Sequence, residues 1–119
     1  MPESSVGALL ETTLPLPLLH RGKVRDVYEV GPDELLMVAS DRVSAFDVVM
    51  SLPVPRKGEV LTLLTAWWLD RLGVDHHLLA VDPDRIERRH PELGESRATW
   101  ARRAMLVRRA APMPVECVV

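Results

Sequence analysis

Arg21-Gly22-Lys23-Val24-Arg25 sets a glycine between cations at the head of a stretch that alternates as far as Val30. Glycine has no Cβ, so a ligand can approach its backbone closely. Bare backbone N–H groups beside a cation are what a polyphosphate requires. The same residues also suit an ordinary turn glycine flanked by solvated cations. A second polar cluster follows at Ser40-Asp41-Arg42-Val43-Ser44-Ala45-Phe46-Asp47. There Arg42 could grip a carboxylate with two parallel hydrogen bonds, and Ser44 could donate or accept one. Alternatively, Asp41 and Arg42 could neutralise each other within the loop. Lys57-Gly58 opens a helical pattern, and the N–H groups of a first helical turn attract anions.

These residues need elements to position them. Residues 24–30 place Val24, Asp26, Tyr28 and Val30 on one side and Arg25, Val27 and Glu29 on the other, a strand with one mixed and one exposed face. Gly31-Pro32-Asp33 has turn chemistry, and residues 35–39 read as a buried strand returning as a hairpin. Residues 40–47 read as a polar loop, and residues 46–50 regain strand character until Pro53 and Pro55 end it. Residues 58–72 carry Leu61, Leu64, Trp68 and Leu72 on one helical face. Glu59 suits the first turn and Gly73 the stop. Trp67 and Trp68 read as core or lobe-packing groups. Residues 76–81 and 104–109 read as strands. The charged stretch between them, 82–99, reads as a loop or a surface turn of helix. Residues 1–20 hold Pro2, Pro15 and Pro17 and read as an extended arm laying leucines on the body. The order gives an α+β lobe, an antiparallel sheet with one main crossing helix.

At 119 residues, 47% hydrophobic and 27% charged, the chain has the composition of one ordinary globular domain. A net charge of −2 argues against nucleic acid as a partner. Arg88, Arg89, Arg97, Arg102, Arg103, Arg108 and Arg109 make the last third locally basic, and read as a solvated face offset by Glu87, Glu92 and Glu95. Cys117, the single cysteine, permits no disulfide within the chain, which fits a reducing cytoplasm. Its apolar surroundings predict a buried, inert thiol. No run approaches a membrane span, and a start carrying Glu3 and Glu11 does not read as a signal peptide. His76 and His77 on one strand would point to opposite faces and could not share an ion, so no metal ligand is assigned.

Taken in order, the run from Arg21, the Ser40 to Asp47 cluster, Lys57-Gly58-Glu59-Val60-Leu61-Thr62 and Pro114-Val115-Glu116-Cys117-Val118-Val119 resemble the N-terminal part of the SAICAR synthetase family. The resemblance runs from about Leu19 to the end, with a variable stretch at about residues 75–99. It implies the small N-terminal lobe of a kinase-like, ATP-grasp-like two-lobe enzyme, with ATP between the lobes. Residues 1–20 would be an arm, 21–110 the ATP-binding lobe, and 111–119 a hinge and the start of a C-terminal lobe. Family members join L-aspartate to carboxyaminoimidazole ribonucleotide with ATP and Mg²⁺, giving SAICAR, ADP and phosphate.

By motif match, the resemblance puts Arg21, Gly22, Lys23 and Val24 in a hairpin covering the ATP phosphates, with Arg25 second in line. Ala111 and Met113 would offer backbone groups to adenine, and Glu116 would reach the ribose or a substrate hydroxyl. Arg42, Ser44 and Asp47 would face the imidazole nucleotide and aspartate. Catalytic roles fall to Lys23, Asp41 and Arg42. The family's later Asp-x-Lys-x-Glu signature, a source of metal and nucleotide ligands, does not occur in this sequence. The expectation is therefore a lobe without its partner, with an apolar seam on its surface and no turnover alone. The rival is a non-catalytic module that binds a nucleotide or a partner. Homo-oligomerisation is left open.

Overall fold

Antiparallel pairing brings the alternating side chains of neighbouring strands onto common faces. The computed structural model describes residues 7–118. Residues 1–6 of the expected arm, with Glu3, and Val119 lie outside them. Strand β1 (Leu18–Arg21) pairs with β2 (Arg25–Glu29), which pairs with β3 (Glu34–Ala39). A small separate hairpin, β4 (Ser44–Ala45) with β5 (Val48–Val49), leads to helix α1 (Lys57–Leu72). Then come β6 (Leu78–Ala80), α2 (Pro83–Arg89), a 3-10 turn (Pro91–Leu93), α3 (Arg97–Trp100) and β7 (Ala104–Arg108). The main sheet has the order β1-β2-β3-β7-β6, antiparallel throughout. This is the α+β architecture expected from the sequence.

Register explains the core. Tyr28, Leu36 and Leu106 lie side by side across β2, β3 and β7, and so do Asp26, Val38 and Ala104. Ile86, Leu93 and Trp100 cover this face, and Leu14 comes in from the arm. Each is the one buried side chain of its element, Ile86 in α2, Leu93 in the 3-10 turn and Trp100 in α3. Asp82 caps α2 by accepting from the N–H of Asp84 at 3.0 Å, and Pro83 suits the first helical position. The Trp100 indole N–H donates to the carbonyl of Leu93 at 3.0 Å.

Several expectations are corrected. The stretch 82–99, expected as a loop or a surface turn of helix, is helical, and it also closes the core through Ile86 and Leu93. Residues 18–21 form a strand, so a boundary at residue 20 cuts through β1. The expected strand 46–50 shrinks to Val48–Val49, the second strand of a tight hairpin, because Phe46 and Asp47 take positive φ (51° and 63°) and reverse the chain. Helix α1 buries only Gly58 and Thr62. Its Leu61, Leu64, Trp68 and Leu72 face is exposed, an apolar seam of the kind expected. Trp67 and Trp68 are not core groups. They meet edge to face at 4.9 Å, and the Arg71 guanidinium sits over Trp67 at 4.4 Å. His76 and His77 precede β6. Cys117 is exposed, because residues 109–118 form no helix or strand and their side chains meet no core. Among the described residues no helix is long and apolar enough to cross a membrane.

Candidate functional site

The turn between β1 and β2 is fixed by its first residue. The Gly22 N–H donates to the Arg25 carbonyl at 2.8 Å, leaving Lys23 and Val24 at the tip. A Cβ on Gly22 would come no nearer than 3.4 Å to any atom of the chain. Among the described residues nothing crowds that position, and the backbone lies open. Among the described residues no acceptor engages the N–H of Lys23 or of Val24. The exposed Lys23 ammonium meets the carboxylate of Asp47 at the tip of the β4–β5 hairpin. That hydrogen bond holds the Asp47 carboxyl below the usual carboxylate range.

Beneath the turn lie two buried ion pairs. Arg42 donates from Nε to the Lys23 carbonyl at 2.9 Å, from one terminal nitrogen to the Gly22 carbonyl at 3.0 Å and the Asp26 carboxylate at 2.9 Å, and from the other to the Leu10 carbonyl. Asp26 is fully buried. Its second oxygen accepts from the Thr12 N–H at 3.0 Å and hydroxyl at 2.7 Å. Arg21 donates to Asp26 at 3.1 Å and to the Thr12 carbonyl at 2.7 Å. Burial pushes the Asp26 carboxyl up, but the bonds from Thr12 and Arg42 outweigh it and hold the group below its ordinary range.

Asp41 anchors the second pair. Its oxygens accept from Arg103 at 2.9 and 3.3 Å, from the Gly58 N–H at 2.9 Å and from the Leu9 N–H at 2.8 Å. Burial opposes its charge. The bonds from Arg103, Leu9 and Gly58 prevail, so this carboxyl too lies below its ordinary range. The anion expected at the start of α1 is therefore Asp41 itself. Glycine is obligatory at 58, where a Cβ would lie 2.2 Å from the Ala39 carbonyl oxygen.

The expected site residues thus divide. Gly22, Lys23 and Val24 form one hairpin tip, which meets the other through Lys23 and Asp47, while Ser44 lies exposed on β4 opposite Val49. Arg25 is exposed at the start of β2, with no acidic partner among the described residues. Val24 and Arg25 line a cavity of about 260 Å³ with Ala39, Leu61, Thr62, Thr65 and Met105. Asp41 and Arg42 depart from expectation. Both are buried, and their polar atoms are engaged by the scaffold. They do not pair with each other, and neither presents a free group to a substrate. Arg21 is likewise tied down. Ala111, Met113 and Glu116 lie on the exposed, irregular tail, away from the cluster's hydrogen bonds.

Sequence reasoning missed Asp26, Thr12 and Arg103. Arg103 was one arginine among many in a basic stretch, and its carboxylate is 62 residues away. Asp26 carried a signal, a lone acid on the face shared by Val24, Tyr28 and Val30. A larger depression of about 620 Å³ is lined by Asp84, Glu87, Arg88, Pro91 and Arg97. Its charges pair among themselves, Arg97 with Asp84 at 2.7 Å and with Glu87 at 3.1 Å, so it competes poorly as a ligand site. Among the described residues no three His, Cys, Asp or Glu side chains converge to hold a metal ion.

A family model described as SAICAR synthetase matches residues 18–119. The chain belongs to the SAICAR synthetase family. It is 53% identical over 116 residues to a phosphoribosylaminoimidazole-succinocarboxamide synthase of Leptothrix cholodnii, covering 95% of this chain and 37% of that protein. Its counterpart in Methylibium petroleiphilum is 51% identical over 119 residues, with coverage of 98% and 38%. Two solved structures share the fold at 39% identity. SAICAR synthase from Saccharomyces cerevisiae, complexed with SAICAR, aligns with a TM-score of 0.77 over 86% of this chain and 37% of that one. A second SAICAR synthase aligns at 0.80 over 90% and 39%. The chain therefore spans less than two fifths of these family members' lengths.

Proposed function

We propose that this chain supplies the phosphate-covering lobe of an ATP-dependent ligase that joins L-aspartate to carboxyaminoimidazole ribonucleotide, yielding SAICAR, ADP and phosphate. The observation that carries this reading is the β1–β2 turn, where two N–H groups with no acceptor among the described residues sit beside a lysine. Family membership and the fold shared with a SAICAR-bound relative support it. Residues 111–118 are the hinge to the larger lobe in this reading, with Ala111 and Met113 offering backbone groups to adenine and Glu116 reaching the ribose.

The chemistry needs a phosphate clamp. A carboxylate resists an amine because it is anionic and has a poor leaving group. Transfer of the ATP γ-phosphoryl makes an acyl phosphate and releases ADP. The aspartate amine then forms the amide, phosphate departs, and the amine gives up a proton. Positioning and charge neutralisation carry most of such a transfer. Lys23 leaves Asp47 and neutralises the phosphates, while Gly22 lets them approach. Asp47, so released, and Ser44 face the other substrates. Mg²⁺ would supply further countercharge to the nucleotide, but the described residues offer it no cluster and no step here runs through it.

Turnover requires the rest of the protein, so residues 1–119 alone are expected to bind without reacting. ADP release dependent on aspartate and the imidazole nucleotide, assayed with this chain and with a complete protein carrying it, tests the point. Activity is expected only in the latter. Lys23→Ala there should lower turnover by about 10²–10³, the scale of a lost charge-stabilising donor. An unchanged rate removes Lys23 from the site, and turnover by the isolated chain refutes the two-lobe reading.

A further inference from the structure

We propose that Arg42 is a positioning residue for the phosphate-binding turn, one that sets which way its peptide units face without touching the ligand. The inference rests on the turn's role proposed above and adds the device that shapes it. In a trans peptide the carbonyl of one residue and the N–H of the next point in opposite directions. Arg42 holds the carbonyls of Gly22 at 3.0 Å and Lys23 at 2.9 Å. These belong to the two peptide units whose N–H groups are those of Lys23 and Val24, which lack acceptors among the described residues. Drawing the two carbonyls inward turns both N–H groups outward, to the side on which an anion can sit.

The geometry suits a guanidinium alone. The fork is planar and rigid, and here it spans Gly22, Lys23, Leu10 and Asp26 at once. Asp26 fixes it from behind and is fixed in turn by Thr12 and Arg21. The arm residues Leu10 and Thr12 thus belong to the support of the turn. A lysine at 42 would keep the positive charge but could not reach all these acceptors.

Titration of the 119-residue chain with inorganic tripolyphosphate, followed by amide NMR, tests this. In the wild type the Lys23 and Val24 amides should shift with saturation. In R42K, still folded by the dispersion of its sheet amides, the dissociation constant should rise at least ~10-fold, since each lost charge-assisted bond is worth about that factor. Equal binding by R42K would mean that charge alone matters and would overturn the inference while leaving the turn's role intact. Failure of the wild-type Lys23 and Val24 amides to respond would overturn the turn's role, and this inference with it. Should R42K not fold, the wild-type Arg42 Nε–H decides. It should stay unshifted and protected from exchange throughout the titration, and a shift or loss of protection would show that Arg42 swings out to meet the ligand.

Discussion

Helix α1 and the segment 82–100 exchange the places their compositions suggest. Helix α1 is rich in leucine and tryptophan, yet it buries only Gly58 and Thr62. The segment 82–100 is dense in charge, yet its Ile86, Leu93 and Trp100 are wholly buried. Apolar content does not decide burial. What decides it is whether an element finds a surface to cover. The charged segment lies on the sheet, and part of its charge is paired, within itself through Arg97 and across to the sheet. Arg89 and His90 bond Glu34 at the start of β3, each at 3.0 Å. Helix α1 meets the sheet through its first half, seated by Asp41 on the bare Gly58 and by the Thr62 hydroxyl on the Arg103 carbonyl at 2.8 Å. A seam of that kind fits a lobe built to be covered.

Trp100→Ala should break the contrast most sharply. It removes the largest buried side chain and should cost about 3–5 kcal/mol in urea unfolding. Asp41→Asn should cost about 3 kcal/mol, because Arg103 is left buried and unpaired. It should also loosen the start of α1, visible as faster amide exchange at Gly58. The tie between the charged segment and the sheet should appear as acid sensitivity. The Arg89 hydrogen bond, against some cost of burial and with help from His90, lowers the Glu34 pKa from 4.5 to about 2. A depressed carboxylate stabilises the fold fully above its unfolded value, and that contribution disappears as pH falls from 4.5 toward 2. Glu34→Gln should therefore flatten the pH dependence of stability in that window, and an unchanged slope would show that the tie does not contribute. Trp68→Ala should move stability least, by about 0.5 kcal/mol, as exposed substitutions do. A cost near that of Trp100→Ala would mean that α1 is covered in solution.

The sequence displayed the strands well where alternation was clean. β2, β3 and β7 fall within a residue or two of expectation, and Gly73 ends α1 as its position implied, at φ 64°. The start of the cover layer had a signal in Asp82-Pro83, a helix cap followed by a first-position proline, but surrounding charge obscured it. The short hairpin at Phe46-Asp47 was not legible, since two positive φ values in a row without glycine break the usual turn chemistry. At the site, Lys23 beside Gly22 meets Asp47 near the surface, a pairing that no local pattern announces. Asp41 and Arg42 lie below it, because their partners, Arg103 and Asp26, come from distant positions that no local pattern links.

The most direct test is a crystal structure of a complete protein carrying this chain, soaked with a non-hydrolysable ATP analogue. Phosphate oxygens should lie about 3 Å from the N–H of Lys23 or Val24, with the Lys23 ammonium drawn off Asp47 onto the phosphates. Phosphates lodged elsewhere, with Lys23 still on Asp47, would contradict the account.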